Sequence, residues 1–161
     1  MNDEMLSGIR KYAPVQWQMI PDFGLYMDQV ITFIAQMYAP LYGEDTSKYL
    51  SASMINNYVK SKLVPRPEGK KYSREQIALL TMIVALKQVA SMEDIRKMLA
   101  LKEGDTVETL YNAFCTRFHQ VIHTIKDSRQ EESGISAALD YAILASGFHA
   151  GCMAALKTEE P

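Results

Sequence analysis

Six of the seventeen lysines and arginines in this 161-residue chain fall between residues 58 and 76, in YVKSKLVPRPEGKKYSREQ. They are Lys60, Lys62, Arg66, Lys70, Lys71 and Arg74. Over residues 50–75 these six face only Glu68 and Glu75, a balance of +4. Residues 1–49, with three basic and six acidic side chains, come to −3, and residues 101–161, with five and nine, come to −4. The net charge of −2 argues against a chain that binds polyanions over its whole surface. A short positive segment inside an acidic chain is instead the pattern of a local anion-binding face. A solvated, lysine-rich loop has the same composition, so charge alone leaves both readings open.

The residues able to ligate metal or act as nucleophiles lie elsewhere. All three histidines and both cysteines follow residue 114. Cys115, His119 and His123 are spaced i, i+4 and i+8. One ion can bridge an i, i+4 pair, but on a helix of 3.6 residues per turn the third residue has rotated about 80° away, which disfavours a shared tetrahedral centre. His149 and Cys152, at i and i+3, would complete a site only if the last helix packed alongside. Surface histidines and small buried thiols are the simpler account, so no metal or cofactor is expected. The chain has no GxGxxG, no P-loop and no HExxH, and its Ser, His and Asp residues form no catalytic signature, so no enzyme is expected either. Two cysteines make no disulfide framework, and MNDEMLSGIR is polar and acidic where an export signal would be basic and then apolar. The expectation is a cytoplasmic protein with reduced thiols.

The elements that must position the basic segment are mainly helical. With 48% apolar residues the chain can fill a core. Residues 1–20 read as an arm, tucked down by Trp17 and Ile20. Asp22 is the expected cap of a first helix that carries Met27, Val30, Phe33, Ile34 and Met37 and stops at Pro40. After the loop LYGEDTSKYL, Ser51 or Ser53 caps a short second helix with Ile55, Tyr58, Val59 and Lys62-Leu63 inward. Ser53, Asn56, Asn57 and Lys60 then share its outer face. Pro65 forbids continuation, and Glu68-Gly69 could turn the chain between two short extended pieces. SREQ, residues 73–76, is a capping box that launches a helix apolar on most of its circumference, expected at the centre of the core. SMED at 91–94 starts a shorter helix that Gly104 stops, and DTVE at 105–108 starts another. Val107, Tyr111, Phe114, Phe118, Val121 and Ile125 alternate spacings of four and three, a heptad seam suited to dimerisation. A last helix over about 135–156 is small and apolar nearly all round and interrupted by Asp140 and His149, so burial between other helices is expected rather than a membrane span. Tyr111, Phe114, Phe118, Tyr141 and Phe148 could line a ligand pocket but suit seam and core better.

A helix, a loop, a short polar-faced helix and a basic turn can make a helix-turn-helix followed by a wing. Asn pairs a donor and an acceptor with an adenine edge, and lysine reaches guanine or phosphate, so Ser53, Asn56, Asn57, Lys60 and Lys62 suit a recognition helix at about 53–62. Arg66, Lys70, Lys71, Tyr72 and Arg74 suit phosphate contacts from a wing at 65–74.

At this point the residues carry a resemblance. Ile55, Tyr58, KLVPRP, Tyr72, YSREQI and SMEDIRKML stand in the order and spacing of the winged helix-turn-helix of the MerR family. IPDFGLYMDQV and INNYVKSKLVPRPEGKKYSREQI more closely resemble an uncharacterised bacterial group, the domain-of-unknown-function 1836 family. The likeness covers about residues 20–100. It departs from the MerR pattern in Asn56-Asn57, where an arginine and a further aromatic are usual, in the long turn APLYGEDTSKYLSAS and in a short, lysine-based wing. The resemblance implies an all-α winged helix-turn-helix with a small basic β-hairpin wing over 21–103. A C-terminal two-helix dimerisation unit would follow over 104–161. It implies a homodimeric transcription regulator on a pseudo-palindromic site in double-stranded DNA, with room for a small-molecule effector whose identity the residues do not give. The rival expectation is a protein-interaction module that keeps the fold and docks an acidic partner on the basic hairpin.

Overall fold

The computed structural model describes residues 12–128 and 135–157. In chain order they form a 3-10 turn Trp17–Met19, strand β1 Leu25–Tyr26, helix α1 Met27–Tyr42, a 3-10 turn Thr46–Lys48, α2 Ala52–Lys60, β2 Lys71–Tyr72, α3 Arg74–Leu86, α4 Met92–Met98, α5 Val107–Ser128 and α6 Ile135–Lys157. The protein is mostly helical, with one two-stranded antiparallel sheet in which Leu25 faces Tyr72 and Tyr26 faces Lys71.

α3 is the centre. Every residue from Gln76 to Val84 is buried, as its apolar circumference requires. Around it pack Val30, Ile34 and Tyr38 of α1, Ile55 and Tyr58 of α2, Ile95 of α4 and Tyr111 of α5, with Tyr12, Trp17 and Ile20 closing the open side. Tyr12, Trp17 and Ile20 thus pack the N-terminal segment onto the core. The core is also held by tyrosine hydroxyls that each find a backbone carbonyl: Tyr38 donates to Thr81 at 2.8 Å and Tyr111 to Val15 at 2.6 Å. Rings extend this set, with Tyr38 stacked on Tyr12 at 5.9 Å and on Tyr42 at 5.3 Å, and Trp17 tilted on Tyr111 at 6.1 Å.

Several boundaries differ from expectation for local reasons. The first helix begins at Met27, because Leu25 and Tyr26 are extended and paired with β2; Gln29 Oε1 accepts from the Tyr26 N–H at 2.9 Å. Asp22 caps nothing and instead faces Arg74. α1 runs through Pro40 to Tyr42 and ends on Gly43, whose φ of 80° suits only glycine well and whose N–H reaches Ala39. A proline in the last turn forfeits a single hydrogen bond, and the Tyr38–Tyr42 stack holds the turn. α5 starts one residue late: Thr106 and Thr109 cap each other reciprocally, each backbone N–H donating to the other's Oγ1 at 2.9–3.1 Å.

The expected burial of the last helix is not found. In α6, Leu139 and Ile143 are each 61% exposed and Phe148 is 73% exposed. A helix apolar nearly all round signals burial, but its pattern does not say against what, and the described residues do not cover these three side chains. Among the described residues no helix is long and apolar enough to cross a membrane.

Burial pushes the phenols of Tyr12, Tyr38 and Tyr111 well above their ordinary value of 10.0. The folded protein then holds these protons more tightly than the unfolded chain. Their stabilisation is complete below about pH 10 and is lost as pH rises from there through the raised folded values. Helical circular dichroism should stay flat from neutral pH to about pH 9 and then collapse cooperatively, together with the rise of tyrosinate absorbance. Gradual tyrosine ionisation with the helices intact would contradict this.

Candidate nucleic-acid interface

α2 is nine residues long and begins at Ser51, whose Oγ accepts from the Met54 N–H at 3.3 Å. Ser53 is thus free of capping duty. Ile55 and Tyr58 go into the core, which leaves Ser53, Asn56, Asn57 and Lys60 exposed together on the outer face. Asn57 has a weak contact of its own, from its amide to Met92 Sδ at 3.8 Å.

Two side chains fix how the chain leaves α2: Arg96, and Gln76 in a role beyond its expected capping box. Arg96 on α4 donates from Nη2 to the Ser61 carbonyl at 2.7 Å, closing the helix C-terminus with a cation. Gln76, only 7% exposed, uses both ends of its amide. Its Nε2 donates to the Pro65 carbonyl at 2.9 Å, and its Oε1 accepts from the Ser73 N–H at 2.7 Å. The Ser73 Oγ in turn accepts from the Gln76 N–H at 3.4 Å. The capping box therefore also ties down the start of the basic segment. Only the second half of that device was legible as SREQ.

Between those anchors the chain turns at Gly69, φ 62°, and Lys71 forms an antiparallel bridge with Glu68. The expected hairpin is reduced to this turn. Its outgoing arm, β2, pairs with β1 rather than with a full incoming strand. Pro65 and Pro67 supply the reason, since neither has an N–H to give to a ladder. Gly24, φ 75°, lets the two segments close up: a Cβ there would stand 3.2 Å from Lys71 Cβ.

Lys60, Lys62, Arg66, Lys70 and Lys71 are all exposed. Among the described residues the ion pairs are Lys48–Asp45, Arg74–Asp22 and Arg96–Glu93, so none of those five has a carboxylate partner. Lys71 extends its ammonium over the exposed Tyr26 ring at 5.2 Å. The two other expected phosphate ligands are differently employed. Arg74 is 24% exposed, donates from Nε to the Ile20 carbonyl at 2.8 Å, lies 3.7 Å from Asp22 and sits over the Trp17 ring at 5.7 Å. It fastens the N-terminal segment to α3. Tyr72 is buried, 4% exposed, with its ring in the core opposite Leu25.

The seam divides in a similar way. Tyr111 is fully buried within the protomer, and Val107, Phe114 and Phe118 are half-buried against the same core. Val121 is 60% exposed; the Ile125 side chain lies outside the described residues. Phe114, Arg117, Phe118, Val121 and Ile122 line a shallow groove of about 260 Å³ on α5. Cys115 faces the body, its Sγ 3.9 Å from the Val15 carbonyl, and burial pushes its thiol up. His119 and His149 are exposed and Cys152 is half-buried, while the His123 side chain lies outside the described residues. Among the described residues no group of three or more His, Cys, Asp or Glu side chains could hold a metal ion.

The fold and site define a mostly helical protein with a two-stranded sheet backing a basic turn. Its residues 15–114 match the family described as Domain of unknown function (DUF1836), and the chain belongs to that family. The matched stretch runs from Val15 to Phe114, so it takes in the first part of α5 and both ends of the Tyr111–Val15 bond. No curated protein and no solved structure matches the chain.

Gln76→Ala removes a capping partner and leaves a carbonyl and an N–H without partners beneath the basic turn. It should lower the urea-unfolding free energy by about 2–3 kcal/mol. A loss under about 0.5 kcal/mol would mean that water replaces both bonds.

Proposed function

We propose that the protein is a homodimeric DNA-binding transcription regulator, cytoplasmic, built on a MerR-like winged helix-turn-helix. In this reading α1 and α2 are the helix-turn-helix and the turn at 65–71 is the wing. The observation that carries it is the set of five exposed cations without carboxylate partners beside the exposed Asn56–Lys60 face of α2. An α-helix with its side chains is about 10–12 Å across, which suits a groove about 12 Å wide. Ser53, Asn56 and Asn57 then meet base edges, Lys60 meets guanine or phosphate, and Lys62, Arg66, Lys70 and Lys71 meet phosphates. Tyr72 and Arg74 support the wing from behind instead of touching DNA.

The test is fluorescence anisotropy on duplex DNA from upstream of the protein's own gene, against scrambled duplex, at several salt concentrations. Lys70→Ala combined with Lys71→Ala should weaken binding to both fragments and reduce the slope of log K against log salt by about 1.8, at about 0.9 per phosphate contact. A double variant that binds like the parent removes the wing from the interface. Binding to neither duplex, with capture of an acidic protein instead, would favour the interaction-module reading.

Dimerisation is assigned to α5 and α6, whose apolar side chains Val121, Leu139, Ile143 and Phe148 stand in water in the single protomer. The parent should sediment as a dimer. Val121→Glu should shift it towards monomer and weaken DNA binding at least tenfold, because two half-sites would no longer be held by one particle. A monomeric parent would remove the dimer from the model.

A further inference from the structure

Lys62 is the only residue other than glycine with a positive φ among the described residues. At 61° it lies in the left-handed region, where a Cβ crowds the following carbonyl. Gly24, Gly43, Gly69 and Gly104 occupy the other positive-φ positions. The conformation at 62 is demanded by the end of α2. The Lys62 N–H reaches back to Val59 at 3.0 Å, and the N–H groups of Leu63 and Val64 both reach Tyr58, at 2.9 and 3.2 Å. This is the left-handed ending of a helix, the place where glycine is ordinarily favoured.

A lysine near a helix C-terminus has an ordinary explanation, since its charge offsets the helix dipole. That explanation does not account for Lys62. Lys60 already stands in the last turn of α2, and the Arg96 guanidinium sits on the Ser61 carbonyl at 2.7 Å. The Lys62 side chain, expected on the inner face of α2, is exposed and has neither a carboxylate nor a hydrogen-bond partner among the described residues. It contributes no burial that would offset the backbone conformation.

We propose that Lys62 is a phosphate contact held in a strained backbone position, with fold stability given up for a positive charge where α2 passes into the basic turn. The proposal rests on the DNA-binding reading and deepens it. The strain has a positional use. The left-handed residue reverses the chain at the end of α2, so the charge projects from the bend between the recognition helix and the wing. A lysine two residues earlier, Lys60, lies on the helix itself instead.

The experiment compares thermal unfolding with anisotropy on a mixed-sequence duplex across a salt series for Lys62→Gly, Lys62→Asn and Lys62→Arg, with Lys70→Ala/Lys71→Ala as control. Lys62→Gly relieves the backbone and should raise Tm by about 2–4 °C. It should also weaken DNA binding about three- to tenfold and make the log–log salt slope shallower by about 0.9. Lys62→Asn, neutral and tolerant of the left-handed region, should lose the same affinity. Lys62→Arg should keep the affinity and the parent Tm. A fall in Tm for Lys62→Gly overturns the strain. Unchanged affinity and slope in Lys62→Gly, with the control variant weakened, overturns the contact and leaves the DNA-binding reading standing. No salt-dependent binding by the parent sinks both.

Discussion

One buried amide, that of Gln76, holds the arrangement around the basic turn together. It grips the Pro65 carbonyl on one side and the Ser73 N–H on the other, so the seven residues between those anchors form a loop with fixed ends. The interaction is strong because it is buried: neither the carbonyl nor the N–H could be left without a partner at low cost there. Everything the turn carries depends on it. Lys70 and Lys71 project from a loop whose two ends are tied to the same residue of the central helix.

The second constraint is the way the N-terminal segment is used. Proline at 65 and 67 leaves the turn without a ladder partner on its own incoming side. β1 supplies that partner, and Arg74 holds the segment leading into it by grasping Ile20 and Asp22. One consequence is a division of labour among residues of the same type. Arg74 is spent on the fold. Arg66, Lys62, Lys70 and Lys71, a few positions away, are left for solvent or for a ligand. Their separation follows from geometry: Arg74 opens α3 and so starts at the core, whereas the others lie on the exit from α2 and on the turn.

The C-terminal part shows the opposite balance. α5 is anchored at one end by Tyr111 and its bond to Val15, then runs on with Val121 exposed, and α6 presents apolar side chains on most of its surface. The core closed around α3 leaves Leu139, Ile143 and Phe148 of α6 uncovered by the described residues. The proposed dimer answers that excess.

Much was legible in the residues. The helices came from apolar spacing and from capping signatures at Ser73 and Ser91, because those interactions are local and span three or four residues. The polar face of α2 followed from the same periodicity, and the concentration of charge at 58–76 needed no structure at all. What tertiary structure decided were pairings across tens of residues: β1 with β2, Arg74 with Ile20, Gln76 with Pro65, Arg96 with Ser61, Tyr111 with Val15. No periodicity encodes such partners. For that reason Arg74 read as a surface ligand in sequence and is a support in space, and α6 read as buried but leaves Leu139, Ile143 and Phe148 exposed. The sequence by itself determined which residues could be helical, apolar or charged. Only the packed fold decided which charges remained free, because a side chain's partner is chosen by proximity in three dimensions.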